Sequence, residues 1–290
     1  MQPKNKIDVL FLGSSHVHCN VNTQLLWDEY GMAAYLMTGA EQPLWNSYYN
    51  LKEALKNQKP KLVVLDMFCP SRFYDDFQPG WADENLDGMR ISLNKLEAVY
   101  TSVQEEQSHF FLGFTEYHSR YDQLTTEDFQ NFVWNRKTQE RWKGYTPLNR
   151  HAELTEPDMS HVTTSQEMTE KSKEYFEKVV ELTKKEGITL ALISGPYLLE
   201  ERDQEVYNFI GQLAEKDGLL FWNTNTPAHY REMGLDFSTD YADHAHLNEA
   251  GGAKYTAYLG KWLSQNYSFP DRRGQKGYES WENQLMKSGE

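Results

Sequence analysis

Three short runs of this chain carry side chains that could together perform acyl transfer. Gly13-Ser14-Ser15-His16 supplies two hydroxyls. A hydroxyl becomes a useful nucleophile when a neighbouring base takes its proton. Asp243-His244-Ala245-His246, far along the chain, supplies such a base. An aspartate three residues before a histidine on one turn can accept a hydrogen bond from the imidazole Nδ1, which leaves Nε2 to face a serine. The negative charge that develops on the carbonyl oxygen needs donors. The Ser15 and Gly39 backbone N–H groups and the Gln42 side-chain amide are the candidates for this oxyanion hole, with Asn46 as a reserve. Each run alone has an ordinary reading: a strand-to-helix turn with capping serines, a surface loop, a turn with a solvated amide. Their weight comes from their order and placement, which depend on the elements that carry them.

The first seventy residues alternate between strand and helix patterns. Ile7–Gly13 is a short apolar run ended by glycine and two serines, and reads as a buried strand. Asn22–Tyr30 reads as a short helix with Asn22 as cap and Gly31 as stop. Ala33–Met37 is a second apolar run. From Pro43 to Asn57, Leu44, Tyr48, Leu51 and Leu55 share one helical face. Lys61–Phe68 is a third strand. The alternation resumes with a helix opened by Thr164-x-x-Glu167, a capping-box pattern, and ended by Gly187. A strand at Thr189–Ser194, a helix at Glu201–Lys216, a strand at Leu219–Trp222 and a last helix at Asn248–Ser264 follow. This rhythm predicts a three-layer α/β/α sandwich with a parallel sheet of about five strands. Ligands of such sheets sit beyond the carboxyl ends of the strands, where the three reactive runs all fall.

The expected organisation is one catalytic domain over 1–265, interrupted by an insertion at about 71–165, then a polar and loosely ordered tail over 266–290. The insertion contains a helix at Gly88–Val103 and then a polar, aromatic-rich stretch. Tyr117, His118, Arg120, Tyr121, Trp134, Arg136, Trp142, Lys143 and Tyr145 mix rings with cations there. They could form a mini-core with solvated charges. They could instead wall a substrate cleft, with rings stacked on sugar faces and cations on hydroxyls or anionic groups. His118, Arg120 and Tyr145 are the candidate binding residues.

Composition narrows the class. A net charge of −14 argues against a nucleic-acid partner, which needs a basic face. Two cysteines cannot build a disulfide scaffold. Cys19 and Cys69 follow neighbouring strands, so a pairing is open, with two buried thiols the preferred reading. The 14 Phe, 8 Trp and 18 Tyr argue against disorder and leave room for a stacking surface. The first apolar run is too short for a signal peptide. Either the protein is cytoplasmic or a leader or anchor lies outside this sequence.

The run IDVLFLGSSH resembles the first block of the SGNH (GDSL-like) esterases and acyltransferases, and DHAHLNEAGGAKYTAYL resembles their last block. The likeness spans roughly 7–70 and 165–264. It implies Ser15 as nucleophile, with Ser14 where the Asp of Gly-Asp-Ser usually stands, and Asp243 and His246 as its partners. The family's Gly and Asn blocks are not clearly present, and Gly39 and Gln42 are the substitutes. The resemblance is closest to bacterial cell-surface members that resemble teichoic-acid and polysaccharide O-acyl transfer proteins. It implies an extracytoplasmic domain whose membrane anchor is missing here. It also implies a surface polysaccharide or other acylated glycan as partner, and a membrane-bound protein as a possible acyl donor. This chemistry calls for no cofactor and no metal.

Two rivals remain at this level. One is a catalytically weak glycan-binding or acyl-transfer accessory protein on the same fold. The other is a metal-dependent phosphodiesterase that would use His16, His18, Asp240, Asp243, His244 and His246. A polar supporting role beneath the nucleophile turn is the preferred reading of His16.

Overall fold

The computed structural model describes residues 2–72, 76–78, 80–105, 107–111 and 142–282. Five short runs rich in Val, Leu, Ile, Phe and Trp form the strands β1 (Val9–Gly13), β2 (Ala34–Thr38), β3 (Leu62–Asp66), β4 (Thr189–Ser194) and β5 (Leu220–Asn223). They pair in parallel in the order β2-β1-β3-β4-β5. β1 and β3 are buried along their whole length, which is why they read as continuous apolar runs rather than alternating ones.

The two-residue period of each strand sends alternate side chains to opposite layers. Leu10, Leu12, Val63, Leu65, Leu190 and Leu192 enter one core cluster, and Val9, Phe11, Leu62, Val64, Ala191 and Ile193 enter the other. The first cluster is closed by α3 (Leu44–Leu55), α6 (Leu93–Ser102), α7 (Glu170–Glu186) and α8 (Glu201–Asp217). The second is closed by α9 (Pro227–Met233) and α10 (Glu249–Asn266). α2 (Thr23–Tyr30) lies between, sending Trp27 to the first cluster and Leu26 to the second. The expected α/β/α sandwich is the fold observed. Emptying one of these positions, such as Phe11, to alanine costs about 3–5 kcal/mol.

The caps show which local signals the chain uses. Asn22 accepts from the Leu25 N–H at 3.1 Å and Gly31 closes α2 in the left-handed region, as the sequence suggests. The Thr164-x-x-Glu167 pattern does not open a helix. Thr164 instead gives its hydroxyl to Glu205 at 2.6 Å, Glu167 pairs with Lys173, and Thr169 caps α7 by accepting from Ser172 N–H. A long-range partner on α8 has outcompeted the local motif.

The part of the insertion that is described contributes three short elements before α7. They are α5 (Ala82–Leu86), α6 and a 3-10 turn at Gln107–Phe110, while α4 (Phe68–Arg72) leads into the insertion from β3. The helix expected at Gly88–Val103 starts later, where Ser92 accepts from Lys95 N–H. Phe110 and Tyr145 are buried in the two clusters.

Residues 267–282, after α10, correct the expectation of a loose tail over 266–290, whose last eight residues lie outside the described ones. Arg272 makes a two-pronged ion pair with the buried Asp8, at 2.7 and 2.8 Å. Trp281, on the short α11 (Glu279–Glu282), is fully buried, stacks on Trp27 and donates its Nε1–H to the Ala34 carbonyl at 3.1 Å. A polar composition hid two aromatic anchors, Tyr278 and Trp281.

Candidate active site

The strand registers bring Gly13 beside Thr38, Leu12 beside Leu65, Asp66 beside Ile193 and Ser194 beside Asn223. One edge of the sheet therefore presents the turns after all five strands. At the end of β1 the backbone reverses sharply into α1 (Ser15–His18). Gly13 has φ +150°, and a Cβ there would lie 2.5 Å from the Asp66 Cβ, so only glycine lets the chain pass. Ser14 caps α1, accepting from His16 N–H at 3.2 Å and donating its own hydroxyl to Asp66 Oδ2 at 3.2 Å. Ser15 is thus the first residue of α1, and its backbone N–H lies outside the helix's own hydrogen bonds.

The loop before α10 comes to meet it. Asn248 caps α10 by accepting from Gly251 N–H at 3.0 Å, and Leu247 N–H donates to Asn20 Oδ1 at 3.1 Å. That fixes the loop against the residues following α1. His246 Nε2 then lies 2.7 Å from Ser15 Oγ, and His246 Nδ1 lies 2.8 Å from Asp243 Oδ1. The tautomer with its proton on Nδ1 satisfies both contacts, with the serine hydroxyl donating to Nε2. Asp243 Oδ1 also accepts from the backbone N–H groups of Ala245, at 2.9 Å, and His246, at 3.0 Å. Burial works against the Asp243 carboxylate, but the Ala245 amide, the His246 ring and the Arg150 guanidinium outweigh it and hold its pKa below the ordinary carboxylate value. Ser15, His246 and Asp243 therefore form a continuous relay in which the imidazole can take a proton from the serine and the carboxylate can stabilise the resulting cation.

The other sequence candidates are placed differently. Gly39 donates its N–H to the Gly13 carbonyl at 3.3 Å, and Asn85 fills the space where its side chain would be. Gln42 is buried, donates Nε2–H to Ser47 Oγ at 3.0 Å and accepts from Asn50 at 2.8 Å. Asn46 is buried between Gln78 and Ser102. The donors of Gly39 and Gln42, in the loop after β2, and of Asn46, on α3, are thus engaged by these partners, because buried amides are satisfied by the nearest groups. Tyr145 is 2% exposed and belongs to a core cluster, so it is a packing residue rather than a binding one. Lys143 is likewise buried, with its ammonium 4.5 Å from the Trp281 ring centre. His118 and Arg120 lie outside the described residues.

The two His-x-His pairs approach one another, with the His16 and His246 ring centroids 5.5 Å apart, but they do not build a metal site. The His16 ring is buried and stacked on Phe68 with centroids 3.4 Å apart, and neither ring nitrogen has a hydrogen-bond partner. Its expected polar support of the turn is replaced by stacking, and burial, together with the neighbouring His246, holds its pKa well below the usual value. His18 meets Thr38 Oγ1 at 3.2 Å, and burial lowers its pKa to about 4. Among the described residues no group of three or more His, Cys, Asp or Glu is placed to hold a metal ion. Cys19 and Cys69 are both buried free thiols, as preferred from sequence.

Three residues near the site carry no sequence signal. Asp66 is a strand-end acid whose fully buried carboxyl is pushed up to about 7 by desolvation. Asn85 donates to the Ala40 carbonyl at 2.8 Å and leaves its Oδ1 unpartnered. Arg150 contacts Asp243 Oδ2 at 2.8 Å. Only the reactive ends of their partners could have suggested them. A cavity of about 700 Å³ opens beside α1, lined in part by His18, Thr38, Gly39, Asn85, Met89 and Thr146.

No protein-family model and no curated protein matches this chain. Among solved structures it is similar to a crystal structure described as a candidate GDSL-like lipase from Parabacteroides merdae. The TM-score is 0.40 and the identity 9%, over 91% of this chain and 98% of that one.

Proposed function

We propose that this chain is a serine-dependent esterase or O-acyltransferase of the SGNH type, working through an acyl-enzyme on Ser15. The observation that carries the reading is the unbroken contact from Ser15 Oγ through the His246 ring to Asp243, at 2.7 and 2.8 Å. The Ser15 oxygen attacks the ester carbonyl carbon as its proton passes to His246 Nε2. The Ser15 N–H is placed by the turn to donate to the oxygen that becomes negative. Collapse of the tetrahedral intermediate breaks the bond to the alcohol, which leaves with the proton from His246. Water or a second alcohol then gives its proton to His246, attacks the acyl carbon and frees Ser15.

The acceptor in this reading is a hydroxyl of a cell-surface polysaccharide, and the acyl group is acetyl. Two features support it. The sequence resemblance is to cell-surface acyl transfer proteins. The cavity along β2, which His18 of α1 helps to line, has a volume in the range that binds small molecules. Thr146 and Glu84 on its wall present a hydroxyl and a carboxylate that suit a polyhydroxylated ligand. A membrane-bound acyl donor and an extracytoplasmic location complete the proposal. Among the described residues no helix is long and apolar enough to cross a membrane.

The test uses p-nitrophenyl acetate as donor with cell-wall oligosaccharides as acceptors. Acetylated oligosaccharide in mass spectra, absent with Ser15→Ala, supports transfer. Acetate alone at every acceptor concentration reduces the reading to an esterase. The accessory-protein reading requires that Ser15→Ala change neither product.

A further inference from the structure

We infer that Arg150 is a positioning residue for the relay: its guanidinium holds Asp243 by Oδ2 so that Oδ1 stays on the His246 ring. The inference rests on the proposed roles of Ser15, His246 and Asp243. The two oxygens of Asp243 are divided between partners. Oδ1 takes His246 Nδ1–H at 2.8 Å and two backbone amides, while Oδ2 takes Arg150 Nη2–H at 2.8 Å. Three donors converge on Oδ1, and a charge-assisted donor on Oδ2 restrains the carboxylate from tilting about that oxygen. Arg150 is well placed for this because its backbone is pinned on one side to the start of α10 and on the other to the loop that carries Asp243. Glu249 N–H donates to the Leu148 carbonyl at 2.9 Å, and Ala152 N–H donates to the Tyr241 carbonyl at 2.8 Å. The return of the insertion thus supplies part of the relay's support.

Arg150 also brings charge. The groups facing His246 are Asp243 and His244 from its own loop, His16 and His18 from α1, and Arg150 by way of Asp243. Cys19, which senses both Asp243 and Arg150, is pushed up to about 12 by burial and is a neutral thiol. His16 and His18 are held uncharged at neutral pH. Arg150 therefore offsets part of the charge of Asp243. Without it the Asp243 carboxylate keeps its charge over a narrower pH range and is held less firmly.

The side chain of Arg150 is 66% exposed, so its replacement leaves the core untouched. The test measures the rate of Ser15 labelling by a fluorophosphonate against pH, at low and high salt, for wild type, Arg150→Met and Arg150→Lys. The expected Arg150→Met result is a plateau rate lower by about 3- to 5-fold, within the range of an exposed ion pair acting on geometry. Its acid midpoint moves to higher pH, and Arg150→Lys recovers both in part. High salt narrows the midpoint difference. A plateau and midpoint unchanged within twofold overturn the inference. So does a lowered plateau with an unmoved midpoint that lysine does not recover, because that is loss of structure. Absence of labelling in the wild type overturns the relay itself and is seen before any variant is compared.

Discussion

Ser14 donates its hydroxyl to the buried carboxyl of Asp66 across 3.2 Å, beneath the turn that presents Ser15. The chain crosses from β1 to α1 directly over this acid, at Gly13, where a Cβ would strike it. The family that the sequence resembles has an aspartate just before its nucleophile. Here that place is a serine, and an acid from the neighbouring strand β3 lies under it. The nucleophile turn therefore rests on a group whose charge depends on pH.

This gives a stability prediction with a definite sign. Desolvation raises the Asp66 pKa from 3.8 to about 7 in the folded state. Its contribution is fully present below the unfolded value and is lost as pH rises through the folded one, because the unfolded chain then binds fewer protons. Wild type should lose a few kcal/mol relative to Asp66→Asn between about pH 4 and pH 7. Urea unfolding of both proteins at pH 4.5 and 7.5 measures the difference. Parallel behaviour of the two would show that Asp66 keeps an ordinary carboxyl.

His16 offers a test of packing against polarity. Its ring stacks on Phe68, and both of its nitrogens are buried without partners. A buried donor or acceptor left unpaired costs about 1–3 kcal/mol. His16→Phe should therefore raise Tm and retain activity, whereas His16→Ala should lose about 3 kcal/mol by opening a cavity. A His16→Phe protein that folds normally but is inactive would assign the imidazole a chemical role.

The C-terminal segment should behave as part of the fold. Trp281→Ala removes a fully buried indole with a hydrogen bond to Ala34, at a cost of about 3–5 kcal/mol. Arg272→Ala leaves Asp8, itself 3% exposed, without its two-pronged partner, and should also destabilise. Chemical denaturation decides both, and near-wild-type midpoints would contradict the docking.

Removal of relay members should cost activity without costing stability. Ser15→Ala and His246→Ala should each lower the esterase rate by about 10³–10⁶, and their combination should lose little more, since the residues act as a unit. Asp243→Asn should cost activity as well, because an amide can hold the imidazole in the wrong tautomer. Additive losses in the double variant would argue that the residues act separately.

The sheet was legible because β1, β3 and β4 are continuous apolar runs ended by turn residues, and the relay because its two runs fall at the same sheet edge. What escaped the sequence had no local signature. Thr169 rather than Thr164 caps α7, since Glu205 on a distant helix claims the Thr164 hydroxyl. Gln42 looked like a free amide and proved to be a buried brace, because Ser47 and Asn50 are within its own turn and the next. Arg150, Asp66 and Trp281 act through partners far along the chain, which only the fold brings together. The aromatic-rich stretch read as a substrate wall is described only at its ends, and there Phe110 and Tyr145 are core.

The most direct measurement is mass spectrometry of the protein quenched in acid after brief exposure to p-nitrophenyl acetate, with the modified peptide sequenced. The account predicts a single acetyl group on Ser15, absent from Ser15→Ala and slow to form in His246→Ala. Turnover of the ester with Ser15 unmodified, and undiminished in Ser15→Ala, would contradict it.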